Sequence, residues 1–142
     1  TKRIPAETFL KVIEKIVLKK KCNFFLATGK KDEEQLILNK IINSRFNKIC
    51  TPLDNLSIKE TLPIIKNCNL AICNDTGFGH LSAALGIKTI MLMADAPLMY
   101  GNYSTKMFPI LPEGEKTVGH GTRGKEKINP IKIYEKIKEI LD

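Results

Sequence analysis

The chain has 142 residues, of which 43% are hydrophobic and 27% are charged, so its composition is that of one ordinary globular domain. Its net charge of +8 at pH 7 reflects either a source genome biased towards Lys, Ile and Asn or a partner that carries phosphate, anionic lipid or nucleic acid. Nucleic acid is the least favoured of these partners, because only 6% of the residues are aromatic and no basic run is interleaved with them. No apolar run approaches the ~20 residues that a membrane-spanning helix needs.

Helical and strand-like segments alternate along the chain. Amphipathic periodicity and acidic first turns identify the helices, and short apolar runs identify the strands. Ser57 begins one helix with capping-box spacing, and Pro63 shortens or distorts that helix. The sequence predicts further helices over 8–20, 32–43, 77–85 and 131–141, and strands over 22–27, 48–51, 70–73 and 88–93.

The predicted strands are too apolar to have a solvated face. We therefore expect a single α/β domain over 1–142, a Rossmann-like parallel sheet with helices on both faces. Residues 94–129 form one irregular region, whose length is typical of a functional or partly mobile segment. Because residue 1 is Thr rather than Met, we expect an excised fragment or a processed product.

The chain contains four cysteines, Cys22, Cys50, Cys68 and Cys73. No pair of them has the C-x-x-C spacing of a zinc or redox site. We therefore expect them to be small buried hydrophobic residues in a reducing, cytoplasmic setting.

The most informative segment is C-N-D-T-G-F-G-H-L-S-A-A-L-G, which begins at Cys73. A predicted strand runs there into a predicted helix, whose first N–H groups lack internal partners and attract anions. Gly77 leaves room for a ligand to approach the backbone, and His80 shares the helix face of Thr76 four residues earlier.

A simpler interpretation of the same segment makes Asn74 or Asp75 a helix cap and Gly77 a packing residue. We favour a binding site, because open α/β sheets bind their ligands at the carboxyl ends of strands.

Other residues beyond the last predicted strand are candidates for the same site. Asp95 either forms a turn before Pro97 or lines the pocket. Residues 119–124 match G-x-G-x-x-G, but no strand precedes them and no helix opens inside them, so we reject a dinucleotide fingerprint. This segment is either a flexible loop or an anion-binding lid that carries His120 and Arg123.

The segment D-T-G-x-x-H-L-x-A-A-L-G, which begins at Asp75, resembles the donor-side motif of the ADP-heptose:lipopolysaccharide heptosyltransferases, glycosyltransferase family 9. The segment T-K-R-I-P-A-E at the start of the chain resembles that family's Lys-x-[aromatic]-Pro segment, with Ile4 in place of the aromatic residue. The resemblance runs from Lys2 to about Met93. Beyond it, A-D-A-P departs from the family's Gly-Pro-Thr-x-Pro loop, and residues 100–127 depart as well.

The resemblance implies the carboxyl-terminal, donor-binding half of a GT-B enzyme, without the acceptor-binding half that holds the catalytic base. It implies inverting transfer of a sugar, heptose above all, from a nucleoside diphosphate sugar to a lipopolysaccharide-type acceptor, with ADP-heptose the favoured donor. The fragment alone is then expected to be inactive. The expected setting is cytoplasmic, with peripheral contact to an anionic inner membrane and no cofactor.

The resemblance also implies roles for individual residues. Lys2 pairs with the diphosphate, while the backbone of Thr76 and Gly77 and the Thr76 hydroxyl hold phosphate oxygens. Asp75 accepts from sugar hydroxyls, because a carboxylate repels phosphate, and His80 donates to a phosphate or sugar oxygen. A lysine and a helix terminus can stabilise the leaving group without a divalent metal.

Two other function classes compete with this interpretation. One is a non-catalytic module that binds a nucleotide or phosphate, and the other is a basic nucleic-acid-binding domain. Binding to a panel of nucleotides separates nucleic-acid binding from the rest, and the sequence upstream of Thr1 separates the enzyme from the module.

Overall fold

The computed structural model describes residues 3–142, in which helices and short strands alternate. Single 3-10 turns lie at Asn47–Ile49, Leu98–Gly101 and Lys125–Lys127. The helices are α1 (Ala6–Val17), α2 (Asp32–Ile42), α3 (Ile58–Lys66), α4 (Gly77–Ala84) and α5 (Pro130–Leu141), and the strands are β1 (Phe24–Leu26), β2 (Cys50–Pro52), β3 (Ala71–Asn74), β4 (Thr89–Leu92) and β5 (Met107–Ile110).

The strands pair in parallel throughout the described chain. β1 pairs with β2, and β4 lies between β3 and β5 in a three-stranded sheet. In this register Asn74 lies opposite Leu92, and Leu92 lies opposite Ile110. The carboxyl ends of β3, β4 and β5 therefore meet at one edge of the sheet.

Strand β4 is covered on both faces. Ile90 and Leu92 pack in one cluster with side chains of α1 and α5, whereas Met91 packs in another cluster with Ala83 of α4. Alternate side chains of a strand point to opposite faces, and these three β4 side chains are all 0% exposed. The predicted α/β class, with a parallel sheet and helices on both faces, is confirmed.

The interpretation of residues 94–129 as one irregular region is wrong in part. Strand β5 lies inside it, together with the 3-10 turns at Leu98–Gly101 and Lys125–Lys127. Pro109 conceals β5 in the sequence, because proline lacks the N–H that a central strand needs. It is tolerated here because β5 lies at the edge of its sheet.

The remaining predicted elements are confirmed, with ends that shift by a few residues. The capping box forms at α3, where Glu60 N–H donates to Ser57 Oγ at 3.2 Å and Ser57 N–H donates to Glu60 Oε1 at 3.0 Å. Pro63 lies inside α3, which is only 9 residues long. Within residues 3–142, none of the helices combines the length and apolarity needed to cross a membrane.

Gly79 sets how closely α4 approaches the sheet. A Cβ added at this position would lie 2.8 Å from Met91 Sδ and 3.1 Å from the backbone oxygen of Asn74. Met91 is fully buried, so its side chain has little room to retreat. The glycine therefore fixes the packing of α4 on β4, and with it the position of the first turn of α4.

Gly79→Ala should lower the free energy of unfolding. Overpacking costs about 1–3 kcal/mol, which exceeds the gain of up to ~1 kcal/mol from replacing glycine in a helix, so we expect a net loss of roughly 1 kcal/mol. Urea denaturation measures it. Gly119→Ala is the control, because a Cβ there meets nothing within 4 Å and its stability should change by less than about 0.5 kcal/mol. Equal stabilities of the two variants would contradict the close approach.

Candidate functional site

The first turn of α4, which follows the end of β3, is not covered by other parts of the described chain. Thr76 is the N-cap of α4, and its side chain makes no capping hydrogen bond. Among residues 3–142, the backbone N–H groups of Gly77 and Phe78 have no hydrogen-bond acceptor. A Cβ added at Gly77 would meet nothing within 4 Å. The turn therefore presents unengaged donors at the positive end of the helix dipole.

The packing role that the sequence left open for Gly77 belongs to Gly79 instead. Gly79 contacts the sheet, whereas Gly77 faces open space. The N-cap position belongs to Thr76 rather than to Asn74 or Asp75. At the same edge, Asn74 Oδ1 is buried without a hydrogen-bond partner in the described part of the chain. This edge therefore offers both donors and an acceptor that the protein itself leaves unused.

Asp75, His80 and Tyr103 form a continuous hydrogen-bonded array. Asp75 Oδ1 lies 2.9 Å from His80 Nε2, and His80 Nδ1 lies 2.7 Å from the Tyr103 hydroxyl. The His80 and Tyr103 rings are nearly parallel, with an interplanar angle of 7° and centroids 5.7 Å apart. The Asp75 side chain is only 7% exposed, against 35% for His80, so the array leads from the interior towards the surface.

Asp95, which follows β4, accepts a hydrogen bond from the glycine-rich loop of residues 119–124. The Arg123 backbone N–H donates to Asp95 Oδ1 at 2.7 Å. This bond, together with one from the Gly121 backbone, holds the pKa of Asp95 below its ordinary value. Arg123 has a φ of 50°, a conformation that non-glycine residues seldom adopt. The Asp95 carboxylate therefore holds a loop that is strained at the residue it binds.

Tyr100 connects the glycine-rich loop with the turn that follows β4. Its ring meets the His120 ring edge-on, with centroids 6.4 Å apart and an interplanar angle of 62°. Tyr100 and Tyr103 come from the same segment, and they contact His120 and His80 respectively. The predicted residues of the motif and of the loop are thus linked through two tyrosines of one segment.

The two tyrosines are the site residues that the sequence analysis missed. They lie in the segment that connects β4 with β5. The signal in the sequence is that this segment follows an apolar strand, where loops often carry functional side chains. Lys2, the residue expected to pair with the diphosphate, lies outside the described residues.

An ion-paired cluster lies near the start of α2. Arg3 donates to Glu34 Oε1 at 2.6 Å and to Glu33 Oε2 at 3.1 Å. The hydrogen bond from Arg3 lowers the pKa of Glu34. Glu34 Oε2 and Thr28 Oγ1 are buried without partners in the described chain. The segment after β1 therefore also leaves acceptor atoms unused.

The cysteines contribute packing rather than nucleophiles. All four are free thiols, and burial raises the pKa of each. For Cys73, just before the site, burial raises the pKa to about 12. Its thiol is therefore protonated at neutral pH, and a thiol is a poor nucleophile compared with a thiolate.

Asp95→Asn should loosen the 119–124 loop. The variant keeps an oxygen acceptor but loses the negative charge, so the bond to the Arg123 N–H becomes weaker. We expect trypsin to cleave after Arg123 roughly threefold faster or more, as judged by mass spectrometry of the fragments over time. Asp32→Asn, at the exposed start of α2, is the matched control and should leave the rate unchanged.

The same bond fixes the sign of a pH effect. The pKa of Asp95 is lowered in the folded protein, so its contribution to stability is present above the unfolded value of about 3.9 and is lost as the pH falls through the lowered pKa. The difference in free energy of unfolding between wild type and Asp95→Asn should therefore shrink as the pH falls, as measured by urea denaturation at several pH values. A difference in free energy of unfolding that is as large at pH 2 as at pH 7 would contradict the role assigned to the Asp95 carboxylate.

Comparison with known proteins places the chain in a family. The family model of glycosyltransferase family 9 (heptosyltransferase) matches residues 1–116. No curated protein matches the chain. The chain is similar to the solved structure of E. coli heptosyltransferase WaaC with ADP, at a TM-score of 0.79 and 16% identity over 98% of this chain and 40% of that one.

The chain is also similar to E. coli ADP-heptose lps heptosyltransferase II, at a TM-score of 0.76 and 18% identity over 99% of this chain and 42% of that one. At these identities the likeness shows the fold. The chain spans less than half the length of both structures that it matches. The family match covers most of the chain, and the chain therefore belongs to glycosyltransferase family 9, the heptosyltransferase family.

Proposed function

We propose that this chain is the donor-binding domain, and the carboxyl-terminal half, of an inverting GT-B glycosyltransferase. The enzyme transfers a sugar, with heptose favoured, from a nucleoside diphosphate to a lipopolysaccharide-type acceptor. The observation that carries the proposal is the open first turn of α4 at Asp75-Thr76-Gly77, in a chain of this family. One of the similar structures was solved with ADP, which favours adenine as the base of the nucleotide sugar.

In this proposal the diphosphate of the donor lies against the first turn of α4. The backbone N–H groups of Gly77 and Phe78 and the Thr76 hydroxyl donate to phosphate oxygens. Lys2 and Arg123 contribute positive charge to the binding of the diphosphate, and the Asn74 amide oxygen accepts a hydrogen bond from a hydroxyl of the nucleotide sugar.

Transfer requires the acceptor oxygen to attack the anomeric carbon from the face opposite the diphosphate. The bond from that carbon to the diphosphate breaks, and negative charge grows on the leaving oxygen. Fixed N–H groups at the helix terminus stabilise this growing charge, because they are already oriented before the reaction. The base that takes the proton from the acceptor hydroxyl belongs to the acceptor-binding half.

The alternative is a non-catalytic module that binds a nucleotide or phosphate. Both candidates bind a nucleotide at the same turn, and they differ in whether an acceptor-binding half accompanies this domain.

For the enzyme we propose a cytoplasmic setting with peripheral contact to an anionic membrane. The four free cysteines fit a reducing compartment. The net charge of +8 attracts the chain to anionic head groups. A lipid-linked acceptor at that surface would then lie close to the donor site.

The chain should bind one nucleoside diphosphate or its sugar conjugate in preference to inorganic phosphate. Thermal shift at low salt with ADP, UDP, GDP and their sugars measures this, and we expect the adenine series to give the largest shift. Gly77→Val should weaken the preferred ligand by at least about tenfold, because the branched side chain covers N–H groups whose charge-assisted bonds are worth ~1.5–3 kcal/mol each.

Ala84→Val is the matched control for Gly77→Val, because Ala84 is exposed at the opposite end of α4. It should leave affinity within about twofold of wild type. Since a Cβ at Gly77 meets nothing within 4 Å, the Gly77 variant should fold normally. Indifference of the wild-type chain to every nucleotide would overturn the donor-binding proposal.

The chain alone should not transfer sugar, because the base and the acceptor site lie on the facing half. A coupled assay with ADP-heptose and a lipid-linked acceptor should give no turnover above background. Joining the chain to its natural upstream half should restore it. Turnover by residues 1–142 alone would contradict the proposal that the base and the acceptor site lie on a separate half.

A further inference from the structure

The array of Asp75, His80 and Tyr103 has a defined hydrogen-bond polarity. A carboxylate can only accept, so His80 Nε2 carries the proton that points to Asp75 Oδ1, 2.9 Å away. In the neutral imidazole Nδ1 then has no proton and accepts from the Tyr103 hydroxyl, 2.7 Å away. Both ring nitrogens of His80 are therefore occupied by the protein, and neither is available for a direct bond to a ligand.

The exposed end of the array is Tyr103. The residue is 63% exposed, whereas the Asp75 side chain is 7% exposed and the His80 side chain is 35% exposed. With its proton committed to His80, the Tyr103 oxygen retains the capacity to accept a hydrogen bond. The array therefore presents an oriented acceptor, whose direction is fixed by the nearly parallel His80 ring.

The position of this acceptor relates it to the open turn of α4. His80 lies three residues after Gly77 on α4, so the two residues are neighbours on the helix surface. A ligand whose phosphates engage the first turn places its hydroxyl groups in the surroundings of that turn. A sugar hydroxyl is a donor, which is the partner that an oriented acceptor requires.

We propose that Tyr103 is a donor-binding residue whose phenolic oxygen accepts a hydrogen bond from a hydroxyl of the nucleotide sugar seated on the first turn of α4. This inference rests on the proposed function. His80 is then a positioning residue that acts through Tyr103, and Asp75 fixes the proton on the far side of the ring. In this proposal His80 acts through Tyr103 instead of making the direct contact that the family resemblance implies for it.

Isothermal titration calorimetry of the chain with ADP-heptose tests the proposal. Tyr103→Phe keeps the ring and removes only the hydroxyl, so it should weaken ADP-heptose by about three- to tenfold, the loss expected for one hydrogen bond. Tyr134→Phe is the matched control, because Tyr134 lies on α5, which packs on the face of the sheet opposite α4. It should leave affinity within about twofold.

A double-mutant cycle separates a contact through Tyr103 from a direct contact of His80. If His80 acts through Tyr103, His80→Gln combined with Tyr103→Phe should bind no more weakly than Tyr103→Phe alone. If His80 instead met the ligand after displacing Tyr103, Tyr103→Phe would leave affinity unchanged or improve it while His80→Gln weakened it. That second pattern overturns the proposal.

The proton position is measured without a ligand by the ¹⁵N shifts of the histidine rings. The chain has only two histidines, so His120→Gln assigns the signals. We expect His80 to carry its proton on Nε2 in the wild type and to change its Nδ1 shift in Tyr103→Phe. A proton on Nδ1 of neutral His80 in the wild type overturns the proposal.

The outcomes also distinguish this inference from the proposed function. If the wild-type chain binds no nucleotide at all, the donor-binding function is wrong and the role of Tyr103 in it is wrong too. If the wild type binds ADP-heptose and Tyr103→Phe binds it equally well, only the role of Tyr103 is wrong. Thermal melts followed by circular dichroism verify that each variant keeps the fold of the wild type.

Discussion

The complete burial of strand β4 is the constraint on which the rest of the structure depends. Ile90 and Leu92 need cover on one face of the sheet and Met91 needs cover on the other, because all three side chains are fully excluded from water. α1 and α5 cover the first face, and α4 covers the second with a contact so close that a Cβ at position 79 would press against Met91. The open turn of α4 is therefore held at the carboxyl edge by the packing of the core.

Two carboxylates at that edge would repel a diphosphate if they were left bare. Each already accepts a hydrogen bond from the protein, Asp75 from His80 Nε2 and Asp95 from the Arg123 backbone. Each carboxylate also holds a neighbouring group in place, the imidazole ring in one case and the strained loop in the other. The acidic residues of the candidate site thus hold neighbouring hydrogen-bonding groups in place, which is compatible with the anionic ligand proposed above.

The parts that the sequence predicts correctly are those whose signal is local. A strand that runs through D-T-G into a helix and a capping box at Ser57 are each recognisable within about ten residues. Strand β5 escaped because Pro109 contradicts a central strand, and only the sheet order reveals that β5 lies at an edge. The bond between Asp95 and Arg123 spans 28 residues, and no local pattern indicates a partner at that distance.

In the proposed enzyme, donor binding and sugar transfer are separable because they have different physical requirements. Binding needs oriented hydrogen-bond donors and acceptors, which α4 and the neighbouring loops provide at the carboxyl edge of the sheet. Transfer also needs water to be excluded and a base to be placed opposite the leaving group, which one exposed edge cannot do. Met99 and Tyr103 are 70% and 63% exposed on the segment beside the site, so this edge by itself remains open to solvent. In the proposed enzyme, a facing half that closed over this edge would meet apolar and aromatic side chains next to the bound nucleotide sugar, and closure would strengthen the electrostatic contacts of that ligand with the turn of α4.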